Sequence, residues 1–304
     1  MKIIDIHTHL ADYSIYHEDY IYGMVEGTGL NVKKEQFLKI SKIFLNDPFG
    51  DKQVRTMDEA GIEKSVLLIV DSEIELGKFN LSLEEIYEKH RLVLEKHPDR
   101  FFVFAGVDPR RENAFSFIKK GYDEFKFSGV KLYPSFGFEM NHPNLLPVYE
   151  FCSSKNIPVL FHTGPSIARL NFNNFADPTN ILTICKQFTC PFILAHAGFK
   201  LNNKEVSELL DLPNIYVDIS GYQSMDLKDP KNVENLAFVF DKKYSEKVLF
   251  GSDWPLFHTL SHIKKDIEFV SNLFEESLKN ETIDVDRSSL EKIMYKNAEK
   301  ILYL

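Results

Sequence analysis

Cysteine is scarce in this 304-residue chain: the three present, Cys152, Cys185 and Cys190, are odd in number and lack C-x-x-C spacing. That excludes a disulfide framework and a thiolate zinc site, and reads as reduced, buried thiols. Long apolar runs are missing too. Stretches such as Val66 to Val70 reach about five residues, where a membrane span needs about 20. The opening Met1-Lys2-Ile3-Ile4-Asp5-Ile6-His7 has neither the apolar core nor the small-residue cleavage site of a signal peptide, so a cytoplasmic protein is expected. Positive charge is in deficit, with 36 Lys and Arg against 45 Asp and Glu for a net charge of -9. With no basic run to neutralise a row of phosphates, nucleic acid is excluded as a partner. No P-loop, dinucleotide-binding glycine fingerprint or G-x-S-x-G elbow occurs, so nucleotide and flavin cofactors lose support. His17-Glu18-Asp19-Tyr20-Ile21 begins like a zincin helix motif but has no histidine at the fifth position.

What is there is an alternation of two patterns. Short β-branched or aromatic runs recur at residues 2–6, 65–70, 101–107, 129–133, 158–161, 192–195, 215–219 and 248–250. Between them lie helix-like segments at 83–96, 114–124, 145–155, 181–188, 205–210, 233–242 and 261–274. Strands apolar along their whole length are buried on both faces, as a parallel sheet covered by helices requires. Eight βα units predict an α/β fold, a (β/α)8 TIM barrel in one domain spanning residues 1–304; a doubly wound open sheet is the alternative. The first connection, residues 10–64, exceeds what a loop and helix need and carries Tyr13, Tyr16, Tyr20 and Tyr22. It is expected to be an insertion or lid near the barrel mouth.

Barrel enzymes build their sites from strand carboxyl ends, and polar residues fall there. The first strand ends in Asp5-Ile6-His7-Thr8-His9, and alternation puts both imidazoles on one face, a natural start to a metal site. The fifth ends in His162-Thr163-Gly164, the sixth in His196-Ala197-Gly198, and the eighth in Gly251-Ser252-Asp253-Trp254-Pro255. Of ten histidines, four thus terminate predicted strands. The other six, His17, His90, His97, His142, His258 and His262, sit in helix-like or loop sequence and are read as solvated histidines; for His142 and His258, which follow strands four and eight, contact with substrate is the alternative.

The set Asp5-x-His7-x-His9, His162, His196 and Asp253, in that order at those strand ends, resembles the metal-dependent amidohydrolase superfamily. The contexts Gly129-Val130-Lys131-Leu132, His162-Thr163-Gly164, His196-Ala197-Gly198 and Gly251-Ser252-Asp253-Trp254-Pro255 are similar to its amidohydrolase-related branch. That branch includes aminocarboxymuconate-semialdehyde and resorcylate decarboxylases. The likeness runs from Met1 to about Pro255 and includes the closing Asn297-Ala298-Glu299-Lys300-Ile301-Leu302. It implies one divalent ion held by His7, His9, His162 and Asp253, with His196 as acid/base and Asp253 also taking a proton from water. Neutral imidazoles with a carboxylate suit Zn2+ first, with Mn2+ or Fe2+ as alternatives.

Lys131 opposes Val130 and Leu132 in parity, which points its amine into the barrel. It is read as an amine paired with Asp253, Asp5 or a substrate carboxylate. The alternatives are a structural ion pair or a carboxylated bridge between two metals, with His162 and His196 on the second ion. Asp5, two residues before His7 and so on its face, is expected to support a ligating imidazole; a water-mediated cap deeper in the barrel is the alternative. Arg110, Arg111 and Arg169 follow strands; each taken alone reads as a surface arginine, with a fork onto a substrate carboxylate as the alternative. Trp254 is expected to pack at the rim or touch substrate, and Asp218 and Ser220 are undecided. The function expected is a metal-dependent hydrolase acting on an amide, ester or lactone carbonyl of a small molecule. A metal-dependent nonoxidative decarboxylase of an aromatic or unsaturated acid is the alternative, and a non-catalytic barrel the third reading. A homodimer is the expected assembly.

Overall fold

The computed structural model describes the chain apart from residues 27–31, 79–80, 171–173, 200–203, 256–262, 282 and 304. His258, His262 and the expected helix start at Ser261 therefore lie outside the described residues. The apolar runs become β1 (Ile4–Thr8), β2 (Lys64–Leu68), β3 (Phe101–Gly106), β4 (Gly129–Leu132), β5 (Val159–Phe161), β6 (Phe192–Leu194), β7 (Ile215–Asp218) and β8 (Val248–Leu249). They pair in chain order, all parallel. Hydrogen bonds between the first strand and the segment after the last decide between a barrel and an open sheet. Ile6 N donates to Phe250 O at 3.0 Å, Asp253 N to His7 O at 2.8 Å and His9 N to Trp254 O at 2.7 Å. These close the sheet on itself.

One face of the sheet forms the barrel interior, where Ile4, Ile6, Val66, Leu160, Ile193 and Leu249 cluster with Ala298, Ile301 and Leu302 of the final helix. The β1–β2 register shifts between Asp5 and Thr8. Strict alternation therefore fails along β1: Ile4 and Ile6 enter the interior cluster, yet His7 and His9 line the cavity beyond it. A bulge re-aims side chains in this way beside many active sites.

The helices are α1 (Glu18–Gly23), α2 (Lys34–Phe44), α3 (Asp51–Ala60), α4 (Glu73–Leu76), α5 (Leu83–Lys96) and α6 (Ala114–Asp123), then α7 (Leu146–Lys155), α8 (Lys204–Leu210), α9 (Pro230–Ala237), α10 (Lys264–Ser277), α11 (Arg287–Glu291) and α12 (Asn297–Leu302). Local chemistry sets several starts. Ser82 and Glu85 form a reciprocal capping box at α5, and Asp229 caps α9 with Pro230 in its first turn. That cap moves α9 ahead of the expected residues 233–242, and its tail tightens into a 3-10 turn at Phe238–Phe240. The helix expected at 181–188 is absent. A 3-10 segment, Pro178–Thr183, stands there, capped by Asp177; its β-branched Thr179, Ile181 and Thr183 are weak helix formers. Within the long first connection, α3 immediately precedes β2 as that unit's own helix, so the added part is the stretch before it. Among the described residues, no helix is long and apolar enough to cross a membrane.

Candidate metal centre

Three atoms converge at the carboxyl end of the barrel. His7 Nε2 lies 3.4 Å and His9 Nε2 3.3 Å from the same oxygen, Oδ1 of Asp253. The other ring nitrogens reveal what these atoms carry. His7 Nδ1 is 2.9 Å from Asp218 Oδ2 and His9 Nδ1 is 2.9 Å from the carbonyl of Leu68. Both partners are acceptors, so Nδ1 holds the proton in each ring and Nε2 presents a lone pair. Burial depresses the His7 pKa to about 4, against the pull of Asp218 and Asp253, which keeps its ring neutral. Asp253 is buried as well, and the carboxyl oxygen that faces the two rings is its Oδ1. Its Oδ1 is buried and has no hydrogen-bond partner among the described residues. Two imidazole lone pairs and a carboxylate oxygen facing one point without a proton are the donor set of a divalent cation.

The rest of the cavity, about 260 Å³, is built around that point. His162 stacks on Tyr133, with centroids 4.0 Å apart and planes 3° from parallel, and its Nε2 lies 3.2 Å from the Pro165 carbonyl. Nε2 thus carries the ring proton and Nδ1 is left with the lone pair. His162 does not join the close trio of His7, His9 and Asp253. His196 sits on a left-handed turn after β6, with φ of 56°, 42° and 62° at His196, Ala197 and Gly198. A Cβ on Gly164 would come within 2.9 Å of the Gly198 Cα, so the two His-x-Gly turns meet backbone to backbone. His196 Nδ1 is 3.1 Å from the Ser220 carbonyl and 2.8 Å from its hydroxyl, which itself donates to Asp218. This protonates Nδ1 and leaves Nε2 for chemistry.

A family model for amidohydrolases matches residues 4–304. The chain belongs to the amidohydrolase family. Among curated proteins none matches it. Solved structures share the fold of this amidohydrolase. A 5-carboxyvanillate decarboxylase from Novosphingobium aromaticivorans with bound manganese is 16% identical with a TM-score of 0.67, covering 100% of this chain and 97% of that one. A dihydroxybenzoic acid decarboxylase from Polaromonas sp. JS666, also with manganese, is 18% identical (TM-score 0.64, covering 99% and 97%). A probable 2-pyrone-4,6-dicarboxylic acid hydrolase from Acinetobacter baumannii is 16% identical (TM-score 0.60, covering 100% of both chains).

Other residues of the amidohydrolase fall differently from the sequence expectation. Asp5 supports no imidazole: its Oδ2 accepts the Ser252 hydroxyl at 2.6 Å, and its Oδ1 accepts the backbone N–H of Ser252 at 3.0 Å and of His7 at 3.2 Å. It ties β1 to the turn that carries Asp253. The bulge is the reason, since it takes Asp5 off the face of His7. The imidazole partner is Asp218, whose Oδ1 also accepts the backbone N–H of His196 at 3.0 Å and of Ser220 at 3.1 Å. Its position at the end of β7 was the available signal.

Arg169 is outside the cavity, 42% exposed and paired with Asp19 of α1 at 2.7 Å. Arg110 is held by Asp108 and Glu75, and Arg111 by Asp71 and Glu73. Trp254 contributes main-chain contacts to barrel closure and does not line the cavity. His17 and His142 cap helical turns, His97 pairs with Asp51, and buried His90 bonds the Ile86 carbonyl. Of the four tyrosines expected in a lid, Tyr20 reaches the cavity, together with Gly23, Met24 and Glu26.

Proposed function

We infer that this amidohydrolase is a metal-dependent hydrolase of a small molecule bearing an amide, ester or lactone carbonyl. The convergence of the His7, His9 and Asp253 lone pairs beside His196 carries that reading. His7, His9 and Asp253 would hold one divalent ion, Zn2+ first with Mn2+ or Fe2+ as alternatives, and His162 Nδ1 is a further donor. When bound, such an ion lowers the pKa of a water molecule from 15.7 to about 7 and polarises a carbonyl. Asp253 accepts the proton that water gives up. His196, its ring fixed through Nδ1 by Ser220, takes that proton on Nε2 and passes it to the leaving group. Asp218 aligns both steps, because one carboxylate holds the His7 ring, the His196 backbone and Ser220.

A second reading, nonoxidative decarboxylation of an aromatic acid, is favoured by the aromatic walls of the cavity, Tyr20, Tyr133 and Phe199. The names of two of the solved structures point the same way. Arg169, the arginine considered for gripping an acid, is held at the surface by Asp19, so an acid in this cavity would meet Lys131 instead. Elemental analysis of protein never exposed to chelator or nickel resin tests the shared premise. About one ion per chain supports it, and no ion even after reconstitution refutes it. Turnover in 18O-water then separates the readings: label in the product marks hydrolysis, whereas released carbon dioxide with solvent hydrogen on carbon marks decarboxylation.

A further inference from the structure

Lys131 is the residue whose surroundings the metal chemistry leaves unexplained. It stands on β4 opposite Leu160 of β5, on the face that fills the barrel, and is 1% exposed. Lys131 lines the cavity, yet its Nζ has no hydrogen-bond partner among the described residues. An ammonium withdrawn from water is costly unless a counter-charge and acceptors replace the hydration it loses. The nearby carboxylates of Asp253 and Asp218 influence it through space but make no bond to it, and the ring of Tyr133 lies 5.7 Å from Nζ. Burial lowers its pKa to about 8. Among the described residues, no arginine and no second lysine line this cavity.

We propose that Lys131 binds a carboxylate of the substrate, which makes the substrate a small, flat molecule carrying one such group apart from its reacting centre. A carboxylate supplies both the charge and the acceptor atoms that Nζ lacks. The walls argue for a planar body: Tyr133 lies stacked on His162, and Phe199 is stacked on His196 with centroids 5.3 Å apart. The size argues for one ring. A dry cavity of about 150 Å³ holds benzene, so one of about 260 Å³ accommodates a ring with substituents. At the mouth, exposed Glu26 lines the entrance and disfavours a second carboxylate. The Tyr20, Tyr133 and Ser166 hydroxyls form a chain, 3.3 Å and 2.9 Å between neighbours, that is available to a polar substituent.

This assignment rests on the cavity being the substrate site of the proposed hydrolase, and it is tested by binding rather than turnover. Benzoate and its neutral isostere benzamide are titrated into the protein as purified, with its metal content measured on the same sample. Benzoate is expected to bind at least tenfold more tightly than benzamide. Lys131→Met should lose at least tenfold in benzoate affinity, with benzamide changed less than twofold and metal content unaltered. Equal affinity for the two probes in the wild-type protein overturns the proposal without recourse to a variant, and guards against a Lys131→Met protein that fails to fold. Unchanged benzoate affinity in folded Lys131→Met also overturns it. So does an intact mass raised by one carbon dioxide on Lys131 with two ions per chain, the mark of a carboxylated bridge. A wild-type protein that takes up no metal yet still shows the Lys131-dependent preference defeats the hydrolase reading and leaves this one standing.

Discussion

Replacing Asp218 with asparagine forces a choice that the native carboxylate avoids. Its two oxygens serve opposite sides: Oδ2 takes the His7 Nδ1 proton at 2.9 Å, and Oδ1 takes the N–H groups of His196 at 3.0 Å and Ser220 at 3.1 Å plus the Ser220 hydroxyl. Asparagine has one acceptor oxygen and an NH2 that only donates. With the oxygen toward His7, the NH2 confronts two buried backbone donors, and leaving them unsatisfied costs about 1–3 kcal/mol each. With the oxygen toward those donors, the NH2 faces His7 Nδ1. The ring must then carry its proton on Nε2, where it points at Asp253 and removes a lone pair from the metal site.

Loss of such a partner behind a ligating histidine lowers metal affinity about 10- to 100-fold, equivalent to roughly 1.4–2.7 kcal/mol. Asp218→Asn should therefore lose metal affinity in that range when titrated against a competing chelator, and the metal-free variant should also unfold at lower denaturant than the metal-free wild type. An affinity within threefold of wild type, with stability unchanged, would refute the claim that Asp218 sets the His7 tautomer.

His7→Ala should reduce metal occupancy sharply, whereas His196→Ala should retain the metal and lose about 10²- to 10⁴-fold in turnover, as measured by elemental analysis beside steady-state kinetics. Loss of metal in His196→Ala would make it a ligand instead. Arg169→Ala should change stability by less than about 1 kcal/mol, as expected for an exposed pair with 42% of the arginine side chain accessible. Its metal affinity should stay within threefold of wild type; a large change would place Arg169 in the site. Acidification should weaken the fold through His90, whose pKa burial lowers to about 4. The unfolded chain then binds the extra proton, so this contribution is intact above pH 6.5 and is lost as pH falls toward 4, by roughly 3 kcal/mol. Chemical denaturation of His90→Gln at pH 7 and 4.5 should show a shallower pH dependence than wild type, and an identical slope would sink the assignment.

Strand positions were legible from residue order because each is a local property: a run apolar on both faces admits little else than a covered parallel strand, and all eight lie within two residues of expectation. The same holds for His7, His9, His162, His196 and Asp253, since a strand's last residues reach the same end of the barrel wherever that strand lies in the chain. The side chains behind them were less legible. Asp5 shares parity with His7 in the sequence, but a one-residue register shift against β2 breaks that parity and turns Asp5 toward Ser252, 247 residues away. Asp218 carries no local mark that distinguishes it from other strand-end carboxylates, and its partner His7 is 211 residues distant. Arg169 sits after a strand as a substrate-binding arginine would, yet Asp19 of the long first connection takes its charge.

Local hydrophobic order, then, was enough to determine the eight βα units and the end of the sheet at which the polar residues gather. Barrel closure, the ring tautomers that turn the His7 and His9 lone pairs toward Asp253, and the unpartnered amine of Lys131 were decided by tertiary structure alone. Those depend on which donors and acceptors meet across the sheet, and hydrogen bonds between distant strands leave no periodic trace along the chain.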